Sequence, residues 1–224
     1  MDEKTVTPGP VNERIMRDLR MRLMRGELAP GEILTHRKLA EQLEVSPQPV
    51  RDALRQLVAE RALEVVNGNR SVAVPRLDRV KLFDLKTIRQ GVEGLAARLA
   101  AERWKPHEMT QIEAILAETA DGGDMPEASR NQRFHFAIYA ASQSEVLIPL
   151  ISSLWLQFGP YLPRAGQLTD GKIGAGDMYH REIVSALRAR DADAAEAAIK
   201  ADIGQAMDLL LNHGLGDAGP ERRG

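Results

Sequence analysis

Between residues 10 and 77 the local signals fall in an order that few folds satisfy: three short amphipathic helix patterns run straight into a two-strand hairpin. Residues 11–25 space Val11, Ile15, Leu19 and Leu23 four apart, giving one apolar stripe, and Gly26 stops the helix. After the Pro30-Gly31 turn, a second helix from Thr35 to Glu44 puts Leu39, Ala40 and Leu43 on one side. Ser46 is placed to cap a third helix, Pro47 suits its first position, where a missing N–H costs nothing, and Pro49 still lies in the first turn. That helix runs to Arg61 with Val50, Ala53, Leu54, Leu57 and Val58 inward, which leaves Gln48, Arg51, Asp52 and Arg55 on the outer face. Residues 63–74 then read LEVV-NGNR-SVAV, two β-branched runs around Asn67-Gly68, a pair that accepts positive φ in a hairpin turn. The pattern predicts a winged helix-turn-helix over residues 10–77, an architecture whose third helix enters the major groove of DNA.

From Leu77 onward the spacing is helical almost throughout, with segments of 80–103, 106–120, 125–142, 144–163, 174–190 and 191–213. Pro106, Asp121-Gly122-Gly123, Pro163 and Gly171 to Gly176 separate them, and short connections predict an antiparallel all-helical bundle over 78–213. The fold class is therefore mainly α, with tails expected to be disordered over 1–9 and 214–224. No stretch nears the roughly 18 apolar residues of a membrane span, and the polar start MDEKTVTPGP carries no signal-peptide core, so a cytoplasmic protein without a membrane partner is expected. Zero cysteines exclude disulfides, thiolate metal sites and cysteine nucleophiles, so any metal must be held by histidine and oxygen. Residues 10–77 carry 12 Lys and Arg against 9 Asp and Glu, while 78–224 carry 17 against 21, so the mild basic excess lies on the helix-turn-helix segment.

Polar residues on apolar stripes mark a second site, because a buried charge or imidazole is costly unless it is paired or ligates something. Asn131 and His135 lie four apart on a helix whose inward residues include Phe134 and Ile138. His180 lies one turn before Ile183, Val184 and Leu187, and Asp202 sits between Ile199, Ile203 and Ala206. Three helices can thus meet around one ion, and imidazole with carboxylate or carboxamide oxygen suits zinc, nickel, manganese or iron. Arg89 borders the stripe expected from Leu85, Ile88, Val92, Leu95 and Leu99. It can clamp a carboxylate effector from the cavity or pair with Glu93 one turn on. Trp155, Tyr161 and Arg164 can line a pocket, but aromatic residues at helical spacing are usually core.

The run Gly26 to Gly31 (G-x-L-x-P-G), then LAEQLEVS and PVRDALRQL, resembles the GntR family of bacterial regulators across the whole N-terminal segment. The stretch Arg89 to Glu102 and the F-H-x-A-I run at Phe134 to Ile138 resemble the FCD effector domain of its FadR subfamily, as far as His213. The resemblance implies a DNA-binding transcriptional regulator, with repression the commoner sense, acting as a homodimer on a palindromic operator and answering to a small organic acid. It implies DNA contacts at Arg37, Ser46, Gln48, Arg51 and Gly68. Arg51 can grip guanine and Gln48 adenine, while Ser46 holds phosphate. Pro47 stands where the family usually has arginine, and Glu44 where it usually has the turn glycine. Many FCD domains hold a metal with one Asp and three His; His135 and His180 match, but Asn131 replaces the Asp and Asp202 the last His. The rival readings are a metal-dependent hydrolase or lyase using metal-activated water, and a DNA-binding protein that has lost its effector response.

Overall fold

The computed structural model describes residues 10–68, 71–120, 126–168 and 178–214. The tails expected over 1–9 and from 214 on, and the breaks expected at Asp121-Gly122-Gly123 and Gly171 to Gly176, lie outside the described residues, apart from Gly214, which closes the last helical turn.

The N-terminal unit runs α1 (Pro10–Met24), β1 (Ile33–Leu34), α2 (His36–Gln42), α3 (Pro47–Ala59), β2 (Glu64–Val66) and β3 (Ser71–Ala73). Leu19, Leu23, Val50 and Leu57 are fully buried at its centre, as helical spacing predicts, and so is Leu28 in the turn after α1, but Val11 at the start of the stripe is exposed. Thr35 caps α2 through Oγ1, which accepts from the Lys38 N–H. Ser46 holds the N-cap position of α3 with its backbone extended, but its hydroxyl makes no capping bond, contrary to expectation: with proline at N1, the helix starts on a fixed φ instead. Between α2 and α3, Glu44 has φ of 52°, a left-handed conformation that costs a residue with a Cβ about 1 kcal/mol. The close of α2 tolerates this because Val45 N–H bonds to Ala40 O. The hairpin forms as predicted, with Asn67 and Gly68 at φ 53° and 61° and Val66 paired to Ser71. Unforeseen is β1, which pairs Ile33 with Ala73 and Leu34 with Val72 to make a three-stranded sheet in the order β1-β3-β2.

From α4 on, the elements among the described residues are all helical: α4 (Arg79–Arg103), α5 (Pro106–Ala120), α6 (Glu127–Ala141), α7 (Leu147–Phe158), a 3-10 turn (Gly159–Tyr161), α8 (Leu162–Leu168), α9 (Met178–Ala189) and α10 (Ala192–Leu209), closed by a π-turn (Leu210–Gly214). The single helix expected over 144–163 is therefore two, and the break falls at Gly159-Pro160. Pro163 sits in the first turn of α8, where proline is tolerated. Helix α4 packs along α10, α6 and α7. Its buried face is Leu82, Leu85, Arg89, Glu93, Ala96, Ala97, Ala100 and Ala101, while Ile88 and Leu95, expected inside, are exposed. Alanines win that face because they let α10, itself carrying Ala195, Ala198 and Gly204 inward, come close.

The two units touch through α1 and the 3-10 turn. Gly26, at φ 69°, leaves room for Pro163, and a Cβ on Gly159 would stand 2.6 Å from Met24 Cα. Tyr161 is a buried peg rather than a pocket wall: its oxygen accepts from Leu77 N–H at 2.6 Å and its hydroxyl donates to Pro75 O at 3.3 Å. No helix of the described residues is long and apolar enough to cross a membrane.

Candidate DNA-reading face and metal centre

All five residues expected at DNA are exposed: Arg37 on α2, Ser46, Gln48 and Arg51 at or on α3, and Gly68 in the hairpin turn. Arg37 and Arg51 come together around a hollow of about 870 Å³ between α2, α3 and the strands, with His36 and Arg55 in the same wall. On α3 the reading side chains form a chain of their own: the Arg51 guanidinium donates to Gln48 Oε1, and Gln48 Nε2 donates to both oxygens of Asp52 at 3.0 Å. Asp52 thus holds Gln48 by its amide donor. Arg55 stands 3.9 Å from the same carboxylate. His36, whose place became legible only once β1 closed the sheet beside it, is the addition that sequence periodicity missed.

In the helical unit, His135 of α6, His180 of α9 and Asp202 of α10 converge, and all three are buried. Asp202 Oδ2 lies 3.2 Å from His135 Nε2 and Oδ1 lies 3.6 Å from His180 Nε2, and the two imidazole rings stand edge to face with centroids 5.4 Å apart. Burial alone would push the Asp202 carboxyl up, but the His135 hydrogen bond and the fields of His180, His135 and Arg89 together hold it below the usual carboxylate range. Asn131, one turn before His135, is also buried, and its Oδ1 has no hydrogen-bond partner among the described residues.

These donors fit a cation. Ligands about 2.0 Å from a tetrahedral zinc stand roughly 3.3 Å from one another, close to the separations found here, and one turn before His135 the buried, orphaned amide oxygen of Asn131 is a group that an ion would satisfy. The set of two imidazoles, one carboxylate and one carboxamide oxygen suits a divalent metal that keeps a position for an outside oxygen ligand.

Arg89 takes the second of the two orientations open to it. It is buried and donates from Nε to Glu93 Oε1 at 2.7 Å and from Nη2 to Oε2 at 3.3 Å, with its guanidinium 4.1 Å from the Phe158 ring centroid. A neighbouring carboxylate in the core outcompetes an open cavity for a desolvated guanidinium. Glu93 also receives the Trp155 Nε1–H at 3.1 Å and the Tyr139 hydroxyl, and Tyr139 in turn meets His135 Nδ1 at 3.0 Å. Glu93 was expected only as a partner for Arg89; Tyr139 was not expected, though it sits one helical turn from His135.

Residues 11–72 match the sequence profile of the bacterial regulatory proteins of the gntR family, and residues 84–205 match the FCD domain. The chain is 31% identical over 185 residues to the HTH-type transcriptional regulator McbR of Escherichia coli K12, covering 80% of this chain and 82% of McbR. It is 28% identical over 199 residues to the HTH-type transcriptional repressor RspR of the same strain, covering 85% and 84%. The solved structure of E. coli McbR/YncC superposes with a TM-score of 0.80 at 26% identity, over 91% of this chain and 98% of that one. These relatives are DNA-binding regulators and not enzymes, which removes the hydrolase or lyase reading of the histidine cluster. The chain belongs to the GntR family of bacterial transcriptional regulators, its DNA-binding domain joined to an FCD effector domain.

Proposed function

We propose that this regulator senses a small organic acid through a divalent metal held by His135, His180 and Asp202, with Asn131 as a fourth oxygen donor, and that metal and effector together set its affinity for a palindromic operator. The convergence of two imidazoles and a carboxylate on one buried point carries this reading, and the orphaned amide oxygen of Asn131, one turn before His135, supports it. The metal would act as a Lewis acid that gathers the effector's oxygens. Arg89 serves by holding Glu93 rather than by clamping the acid. Arg37, Ser46, Gln48, Arg51 and Gly68 contact the DNA, Arg51 and Gln48 at base edges and the others along the backbone.

The working unit is a homodimer, matched to a two-fold operator in the cytoplasm, and repression is the expected outcome. An exposed face of α4 supports the dimer: Val80, Phe83, Ile88 and Leu95 are each at least 42% exposed, and they flank Gly91, where a partner helix can approach closely. A ligand shifts the operator equilibrium only as far as it binds the DNA-competent and DNA-incompetent arrangements unequally.

Fluorescence anisotropy with DNA from upstream of the protein's own gene tests this. Chelator-treated and zinc-restored protein should differ in operator affinity by about 5- to 150-fold, the usual span of allosteric coupling, and Asp202→Ala should abolish the difference. Equal affinities across metals and organic acids would establish instead a DNA-binding protein without an effector response.

A further inference from the structure

Glu93 lies at 0% exposure in the middle of α4, and three side chains from three helices donate to it. Arg89 gives Nε to Oε1 and Nη2 to Oε2, Trp155 of α7 gives its indole N–H to Oε2, and Tyr139 of α6 gives its hydroxyl to Oε2. Guanidinium and indole have no lone pair to offer, and a carboxylate paired with arginine can only accept, so the direction of every bond on Glu93 is fixed. The Tyr139 proton therefore points at Glu93.

That fixes the next link. His135 Nδ1 lies 3.0 Å from the Tyr139 oxygen, whose single proton is already used, so the bond between them runs from Nδ1–H to the tyrosine oxygen. The imidazole keeps its Nδ1 proton, and Nε2 is the atom turned toward Asp202 Oδ2 at 3.2 Å. Nε2 is thereby left as the ring atom that meets Asp202, either through the proton of the hydrogen bond described above or through a metal ion in that proton's place, so the same chain that fixes Nδ1–H presents Nε2 to an ion.

We infer that Tyr139 and Glu93 are positioning residues for the cation site: Glu93 orients the Tyr139 hydroxyl, which holds His135 as the Nδ1–H tautomer with Nε2 presented to the metal. The inference rests on the metal reading proposed above and deepens it. It extends the familiar carboxylate–histidine–metal arrangement by one hydroxyl. It also ties the site by hydrogen bonds to α4. His135 and Tyr139 belong to α6, but Glu93 belongs to α4, the helix that begins at Arg79, shortly after the last strand of the DNA-binding unit ends at Ala73. Arg89, packed on Phe158 and 5.0 Å from the Trp155 ring centroid, keeps Glu93 from swinging away.

The test uses chelator-treated full-length protein titrated with zinc by calorimetry, as wild type, Tyr139→Phe and Ile138→Val. The last variant trims an adjacent buried side chain of the same helix without touching the relay. Tyr139→Phe should weaken zinc binding by about 10- to 100-fold, whereas Ile138→Val should stay within about twofold because it loses packing alone. In parallel, nitrogen-15 spectra of zinc-loaded wild type labelled at histidine should show His135 protonated at Nδ1, with a hydrogen-bonded proton, and metal-bound at Nε2. That proton should lose its hydrogen-bonded shift in Tyr139→Phe while the His180 signals stay in place. The wild-type spectrum needs no variant to fold. Zinc uptake with equal affinity in wild type and Tyr139→Phe, or coordination of His135 through Nδ1, would overturn the positioning role and leave the metal site standing. Absence of zinc, nickel and manganese uptake by the wild type would overturn the metal site and this inference with it.

Discussion

Gly159→Ala is expected to loosen the DNA-binding unit from the helical unit without unfolding either. A Cβ at Gly159 would stand 2.6 Å from Met24 Cα and 2.7 Å from Met24 C, and closer still to Leu23 O. That is short of van der Waals contact by about 1 Å, and the atoms in the way are backbone, so no side-chain rotation relieves it. Overpacking of this kind costs about 1–3 kcal/mol. The obstructing segments belong to different units, the end of α1 and the 3-10 turn before α8, so the strain is released most cheaply by separating them. Each 1.4 kcal/mol is a tenfold change, and the docked arrangement should lose roughly one to two orders of magnitude in population. Small-angle scattering should show a larger radius of gyration, calorimetry should resolve two transitions or a broadened one, and operator affinity should become less sensitive to zinc. A Gly159→Ala protein with unchanged scattering, melting and zinc response would refute the claim that this contact couples the units.

Other perturbations separate the remaining parts of the account. Arg51→Ala should cost roughly 1–3 kcal/mol of operator affinity and relax preference at one base position in each half-site, measured by anisotropy on a panel of single-base variants. Gly91→Ala adds a Cβ that meets nothing within 4 Å in the isolated chain. Helix propensity alone would then stabilise it by about 1 kcal/mol. If α4 is the dimer face, sedimentation should instead show a weaker dimer, whereas a more stable protein with an unchanged dimer constant would place the interface elsewhere. Burial first, and then the Glu93 carboxylate, hold the Tyr139 hydroxyl well above its ordinary value of 10.0. A folded-state pKa raised in this way leaves stability intact below the ordinary value and erodes it as the pH climbs beyond, so wild type should lose melting temperature above pH 10.0 more steeply than Tyr139→Phe.

The helix-turn-helix was legible because its information is local: four-residue spacing in α1 and α3, proline at a helix start, and Asn67-Gly68 in a turn each act within a few residues. What periodicity missed was decided by distant partners. The strand Ile33–Leu34 is too short to announce itself and exists because β3 offers it a free edge. On α4, Ile88 and Leu95 fit the apolar stripe by hydrophobicity, but the close approach of α10 selects the alanine face, and the chain spends that face on Arg89 and Glu93 as an ion pair. His135, His180 and Asp202 could be named because each interrupts an apolar stripe. Glu93 was legible only as a partner for Arg89, and Tyr139 not at all, because a tyrosine among apolar residues reads as packing and the meeting of both with His135 is made by helices distant in sequence.

The most direct measurement of the central claim is anomalous diffraction from crystals of zinc-equilibrated protein, recorded on both sides of the zinc absorption edge. The account predicts a peak between His135 Nε2, His180 Nε2 and Asp202, within bonding distance of Asn131 Oδ1, and its loss in Asp202→Ala. A wild-type map with no anomalous peak there, and His135 and His180 closed directly onto Asp202, would contradict it.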